Sequence, residues 1–366
     1  MKVGAADAGR HIFLTPGLLA LAVCCLVVGL VYFTHGRDPL AFVIVGDRFN
    51  LGEPSGNVGY DGQFAYYIAV DPLGAAARLD DPAYRYQRIL YPFLARLLAL
   101  GRPAWVPWTL LFINVVSISV TTELVGRMLA RGGVSPYLAL LVPLWLGEIF
   151  ALRADLNEPL CFLLVVVALG LYQRERYWWS AVALASGALA KDSALLFLPA
   201  IVIVLLLQRR WWLSWRSVAI VLLPYTLVQY GLYRWLGGFG FAGNAVRFEL
   251  IPFYGIILSE PSSARIFLIL FFALPVTALL VLAVRHLLHS PQAVHAWALL
   301  INCLFIVFLT RASIFDVLAL FRLATGVVVA ALLFCAARGQ RRLALWLHVI
   351  WIPPSVIAFM IPGFLV

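Results

Sequence analysis

The chain has 366 residues, is 63% hydrophobic and only 12% charged. A soluble domain of this size needs far more charge to cover its surface, and one apolar run after another reaches the roughly 20 residues that cross a hydrocarbon core, so the sequence describes an integral membrane protein. The formal net charge of +10 reads as basic residues on cytoplasmic loops and beside anionic headgroups, not as a nucleic-acid footprint, because no RNA- or DNA-binding motif accompanies it.

The first apolar stretch, 14–33, follows a short head with Lys2, Arg10 and His11. It is longer than a signal-peptide core, and no small-x-small cleavage site follows at Thr34-His35-Gly36-Arg37, which marks an uncleaved first transmembrane helix. Further spans are expected near 104–126, 136–152, 159–172, 178–190, 194–208, 217–236, 264–285, 294–310, 317–337 and 343–365. The expected fold is therefore all-α: one transmembrane domain, 1–366, forming a helix bundle of about 11 spans. Several are short for a crossing, and Pro143, Pro159, Pro199, Pro224 and Pro275 offer places to bend.

With a cytoplasmic N-terminus, 13 of the 27 basic residues fall on short inner segments, as the positive-inside rule expects. Among the 17 acidic residues only Asp7, Glu123 and Glu175 fall inside, which leaves 14 at or near the outer face. The first outer loop, 35–101, is long; a second, 237–263, is rich in Gly and aromatics; 153–158, 191–193 and 311–316 are short turns.

In the first loop, Asp61 stands at the start of a short helix that ends before Pro72, in the position of an N-cap. Phe64, Tyr67 and Ile68 share one apolar face, which predicts an interfacial helix. Arg88 and Arg96 are eight apart and would share a helix face suited to a phosphate, the alternative being that both snorkel to headgroups. Arg153, Asp155 and Glu158, then Lys191 and Asp192, then Arg311, Asp316 and Arg322 bring both signs of charge to separate outer turns. Charge at that depth is costly unless it is paired or faces a wet cavity, so a shared polar cavity is expected. Asp47 and Asp71 rival Asp61 as bases, and Gln63 and Tyr67 complete the candidate set.

Other signals carry less. Gly238-Phe239-Gly240-Phe241-Ala242-Gly243 matches GxGxxG without a surrounding βαβ unit. His286, His289 and His295 fall at the cytoplasmic end of a span, and no HExxH, GxSxG or Walker loop occurs. The five cysteines lie in apolar runs with no CxxC spacing.

Tyr60-Asp61-Gly62-Gln63-Phe64-Ala65-Tyr66-Tyr67-Ile68-Ala69, followed by Tyr86-Gln87-Arg88-Ile89-Leu90-Tyr91-Pro92, resembles the first-loop signature of polytopic GT-C glycosyltransferases. The nearest likeness is to uncharacterised bacterial cell-surface glycopolymer-forming members. A more distant one is to the GPI mannosyltransferases, in which a Trp-Asp pair opens a similar helix; here Tyr60 replaces that Trp. The stretch from Arg153 through Glu158 to Ala190-Lys191-Asp192 resembles the helices that follow. The resemblance implies a polyprenyl-phosphate sugar donor, a glycan or lipid acceptor at the outer face, and inversion. It gives Asp61 the role of general base, and makes Arg88, Arg153, Lys191, Arg311 and Arg322 candidates for the donor phosphate. Some members of the superfamily use a divalent metal, for which nothing in the sequence fixes ligands. Membrane lipids are the remaining expected partners. The competing reading is a transporter or flippase of a lipid-linked glycan, against which stand the charges near span ends and the absence of a visible repeat.

Overall fold

A computed structural model describes residues 14–242 and 249–361. Lys2, Asp7, Arg10, His11 and Gly243 lie outside them, as do positions 362–365 of the last expected span. The protein is all-helical, with 78% helix and no strand among the described residues. In chain order the main helices are α1 (Pro16–Thr34), α2 (Gly62–Val70), α3 (Pro82–Tyr86), α4 (Leu90–Leu98), α5 (Val106–Arg131), α6 (Leu141–Leu144), α7 (Leu146–Arg153), α8 (Glu158–Gln173), α9 (Tyr177–Ala190), α10 (Leu198–Leu207), α11 (Trp211–Leu236), α12 (Leu274–His289), α13 (Val294–Val307), α14 (Val317–Arg338) and α15 (Arg341–Met360).

Within the described residues each expected apolar segment is mainly helical, but the expected count of about eleven full spans is not reached by length. Among the described residues six helices are long and apolar enough to cross a membrane, or seven when Pro136–Leu144 and Leu146–Arg153, bent by 52° at Trp145, count as one. The difference lies in α8, α9, α10 and α13, which have 16, 14, 10 and 14 residues. At 1.5 Å per residue even the longest of these rises about 24 Å, short of the ~30 Å hydrocarbon thickness.

α14 is the central helix. Asp316 caps its start, its Oδ1 accepting from Ala319 N at 3.0 Å, and Gly339 ends it in the left-handed region at φ 64°. Its most apolar stretch is 78% buried, against 17% for α11, which leaves Trp211, Trp212, Trp215, Leu223 and Leu227 exposed at the edge of the bundle. α14 packs on α5, α7, α8 and α13. At the bend, the Trp145 indole donates to Phe321 O at 3.1 Å and to Thr325 Oγ1 at 3.0 Å. Two residues on, a Cβ at Gly147 would overlap the Phe321 carbonyl oxygen, so glycine is what lets α7 meet α14 backbone to backbone. This contact fixes α14 just before Arg322.

The first loop folds onto the bundle. The apolar face of α2 is buried within the protein: Phe64, Tyr67 and Ile68 pack with Ala75, Leu79, Tyr86 and Leu232. That corrects the expectation of a face turned to lipid, since apolar residues of 35–101 and Leu232 of α11 cover it. Arg96 donates to Ala69 O and Val70 O at 2.9 and 2.8 Å, closing the C-terminus of α2. All five cysteines are free thiols, and all but Cys25 are buried.

Candidate active site

Asp61 occupies the N-cap position of α2, but its carboxylate makes no capping hydrogen bond. It turns instead toward two guanidinium groups. Arg85 Nη2 lies 3.0 Å from Oδ1, and Arg322 donates to Oδ2 through Nη1 and Nη2, both at 3.1 Å. Arg85 is presented by α3, whose start is set by Asp81: Oδ1 accepts from Tyr84 N at 3.2 Å, and Pro82 holds the first helical position. Arg85 is also gripped by Asp80 at 2.8 and 2.7 Å, and it stacks on Phe64 at 4.3 Å. Burial alone would raise the Asp61 pKa. The charges of Arg322, Arg85 and Arg88 outweigh it and hold the carboxyl below its ordinary value.

Arg322 extends the network into the bundle. Its Nε donates to Glu158 Oε1 at 2.6 Å, its Nη1 donates to Tyr60 Oη at 3.0 Å, and Lys191 Nζ reaches the same Glu158 oxygen at 2.5 Å. Side-chain exposure is 0% at Glu158, 4% at Lys191 and 6% at Arg322. Asp80, Arg85, Asp61, Arg322, Glu158 and Lys191 thus form one alternating chain of acids and bases, drawn from the first loop, the start of α8, the end of α9 and the first turns of α14. Such buried ions are tolerable because each has an opposite partner.

Beside this chain lies a cavity of ≈ 30 Å³ lined by Asp61, Phe64, Arg85, Arg88, Tyr91, Asp155, Asn157 and Arg322, among others. Arg88 donates to Tyr84 Oη at 2.5 Å and stands 4.0 Å from Asp192, while its buried Nε has no partner. Asp155 is fully buried, and neither of its carboxyl oxygens has a hydrogen-bond partner. Its φ of 47° is a left-handed conformation that Asp tolerates better than most residues. A cavity edged by three arginines and two carboxylates can bind an anion and move a proton.

A family model described as ALG3 protein matches residues 108–234. That family comprises endoplasmic-reticulum mannosyltransferases of GT-C-like type, and the match supports a polytopic membrane glycosyltransferase. The matched stretch includes Asp155, Glu158 and Lys191 but not Asp61, Arg85 or Arg322. No curated protein and no solved structure matches the chain.

The structure brings together Asp61, Arg88, Asp155, Glu158, Lys191 and Arg322 from the residues expected at the site, and sets others apart. Arg153 donates to Ala41 O at 2.7 Å and contacts His35 Nε2 at 3.3 Å, which ties the first loop to α7 outside the cavity lining. Arg311 is exposed at the start of the short helix Arg311–Phe315, also outside that lining. Asp47 is exposed, and Asp71 accepts from Gly74 N at 3.0 Å at the far end of α2, about 15 Å along the helix from Asp61. Gln63 braces the loop by accepting from Gly46 N at 3.1 Å and donating to Val58 O at 2.7 Å. Tyr67 is buried under Arg78, and Asp316 is the cap of α14.

Arg88 and Arg96 do not share a helix face. Residues 87–89 form a turn between α3 and α4, so the eight-residue spacing is not two continuous helical turns. Sequence reasoning also missed Arg85 and Tyr60. The signal for Arg85 was its i,i+3 spacing to Arg88, which puts two arginines on one side of a single turn.

Among the described residues no group of three or more His, Cys, Asp or Glu is arranged to hold a metal. Asp61 and Glu158 each face cations. His295 is tied to Gln173, and His286 packs edge-on to Phe334.

Proposed function

We propose that this protein is an inverting glycosyltransferase that moves a sugar from a polyprenyl-phosphate donor to a cell-envelope glycan or lipid acceptor. The observation that carries this reading is the joining of Asp61 to Arg85 and Arg322 at the edge of a cavity also lined by Arg88. The ALG3 family uses a lipid-linked sugar donor and a lipid-linked glycan acceptor, in keeping with lipid and glycan partners here.

In the reaction, the acceptor hydroxyl oxygen attacks the anomeric carbon from the face opposite the phosphate. A new C–O glycosidic bond forms, the bond from the anomeric carbon to the phosphate oxygen breaks, and polyprenyl phosphate leaves with that electron pair. Asp61 takes the hydroxyl proton as general base. Arg85, Arg88 and Arg322 neutralise the charge that grows on the phosphate, a role for which the planar guanidinium fork is suited. Lys191 acts through Glu158, which holds Arg322 in place. The positive-inside distribution of Arg and Lys supports a cytoplasmic N-terminus and an extracytoplasmic site; the membrane we propose is a bacterial-type inner membrane.

The test uses the purified full-length protein in nanodiscs with a panel of polyprenyl-phosphate sugars and envelope-glycan acceptors. One donor should be turned over with inverted anomeric configuration, and the envelope glycans of a deletion strain should lack the same sugar. An impermeant thiol reagent should label Asp61→Cys from outside intact cells. No transfer with any donor, together with unchanged envelope glycans, ends this reading.

A further inference from the structure

The groups best placed to grip a donor phosphate are already gripping something else. Both oxygens of Asp61 are held, Oδ1 by Arg85 and Oδ2 by Arg322, and the cavity beside them has ≈ 30 Å³, enough for roughly two waters. The cavity is too small for a phosphate, and Arg85 Nη2 and both terminal nitrogens of Arg322 are taken by the carboxylate.

The network also shows which link can open. Without Asp61, Arg85 keeps its two-point grip on Asp80, and Arg322 keeps Glu158 and Tyr60. Neither arginine would be orphaned by losing the Asp61 contact. The side chain of Asp61 is 30% exposed, whereas that of Glu158 is fully buried, so Asp61 is the carboxylate that detaches at least cost. Arg88 adds a third contact point, with a buried Nε that has no partner and a carboxylate no nearer than 4.0 Å.

We propose that Arg85, Arg322 and Arg88 form a single binding site for the phosphate of a polyprenyl phosphate ester, and that Asp61 fills this site in the ligand-free protein as an internal anion. The incoming phosphate takes over the two guanidinium groups and displaces the carboxylate. Under the transferase reading, on which this consequence rests, Asp61 becomes an effective base only once the donor is bound. Released from two cations, a half-buried carboxylate is a stronger proton acceptor than a paired one. A donor-free site then holds no activated base with which to direct water at a passing sugar phosphate.

The experiment measures binding of a short-chain polyprenyl phosphate to the full-length protein in phosphatidylcholine nanodiscs, by calorimetry. Removing the resident anion with Asp61→Asn should tighten binding about tenfold, since the ligand no longer competes for the guanidinium groups. Asp192→Asn serves as the control for general electrostatics, because it removes a carboxylate near Arg88 but none from Arg85 or Arg322; it should change affinity less than about threefold. Arg85→Gln should weaken binding and cancel the gain when combined with Asp61→Asn. If Arg85→Gln does not fold, Arg85→Lys keeps the charge without the fork and should still weaken binding. Unchanged or weaker binding by a folded Asp61→Asn protein overturns the proposal, as does an equal gain from Asp192→Asn. A gain abolished by adding phosphatidylglycerol to the nanodisc would make this a phospholipid-headgroup site and overturn the polyprenyl assignment. The two readings fail separately: tighter binding without sugar transfer removes the transferase but keeps the anion site, and transfer with unchanged binding does the reverse.

Discussion

Asp61 and Arg322 stand 261 positions apart in the chain and meet through two hydrogen bonds of 3.1 Å, both terminal guanidinium nitrogens donating to the same carboxylate oxygen. The contact fastens the first loop to the central helix α14, and the expected behaviour of variants follows from it.

Asp61→Asn keeps the side-chain volume and one acceptor oxygen but cannot take a proton. Turnover should fall by about 10²–10⁴, the usual contribution of a general base, while the variant stays folded with a lowered melting temperature, because the ion pairs to Arg85 and Arg322 are lost. Undiminished sugar transfer by this variant would remove Asp61 from the reaction.

Arg322→Met leaves Glu158 facing Lys191 alone and Asp61 facing Arg85 alone, deep in the structure. Removing one partner of a buried pair should destabilise the protein by ~3–5 kcal/mol. Adding Glu158→Gln should lower stability further, because buried Lys191 then loses its carboxylate, but the double variant should lose less than the sum of the two single effects, since Arg322 and Glu158 share one ion pair. A thermal-unfolding double-mutant cycle measures the coupling, and additive single effects would contradict the pairing.

The pH dependence follows from the direction of the Asp61 shift. Its carboxyl is held below the ordinary carboxylate value by Arg322, Arg85 and Arg88 against the opposing effect of burial. A depressed acid adds stability that is fully present above its unfolded pKa and is lost as pH falls through the folded one. The stability difference between the parent and Asp61→Asn should therefore be flat above about pH 5 and shrink as pH drops below the usual carboxylate pKa near 3.9. A difference that changes between pH 6 and 8 would mean that Asp61 is not held by these arginines.

Gly62 touches the 154–158 turn so closely that a Cβ would overlap the Ala154 carbonyl oxygen. Gly62→Ala should cost ~1–3 kcal/mol of stability and push Asp61 away from the cavity, which lowers kcat. An Ala variant with the parent's melting temperature and kcat would show that the two segments are not in contact.

Asp155 has no partner for either oxygen although it is fully buried. Asp155→Asn suits the left-handed backbone there and removes the ionisable group, so it should melt no lower than the parent and gain up to ~1 kcal/mol. Transfer should nevertheless slow about tenfold, since a group retained at a cost to stability beside a cavity is there for function. Parent-level transfer would assign Asp155 no part in the reaction.

Much of the fold could be read from the sequence, because apolar segments of this length have few alternatives to helix in a membrane. Helix length decided less well: Leu198–Leu207 and Tyr177–Ala190 are apolar but too short to cross alone, and hydropathy does not report where a helix stops. At the site, Asp61, Glu158, Lys191 and Arg322 were legible as costly charges near span ends. Their pairing was not, since Glu158 and Arg322 are 164 positions apart and no local pattern encodes such a contact. Arg153 and Arg311 show the converse. Both sit at similar expected depth, yet Arg153 is used to fasten a loop and Arg311 stays exposed, a difference set by tertiary packing alone.

The position of Arg322 near the start of α14 also governs when the site can exist during synthesis. A nascent chain that has delivered α1 through α13 to the bilayer carries Asp61, Arg85, Glu158 and Lys191 but not the side chain that joins the Asp61–Arg85 pair to the Glu158–Lys191 pair. Only after Val317–Arg338 leaves the ribosome can a single side chain join them. The acid–base chain is therefore closed late in biogenesis, and chains released before that helix lack the arginine that completes it.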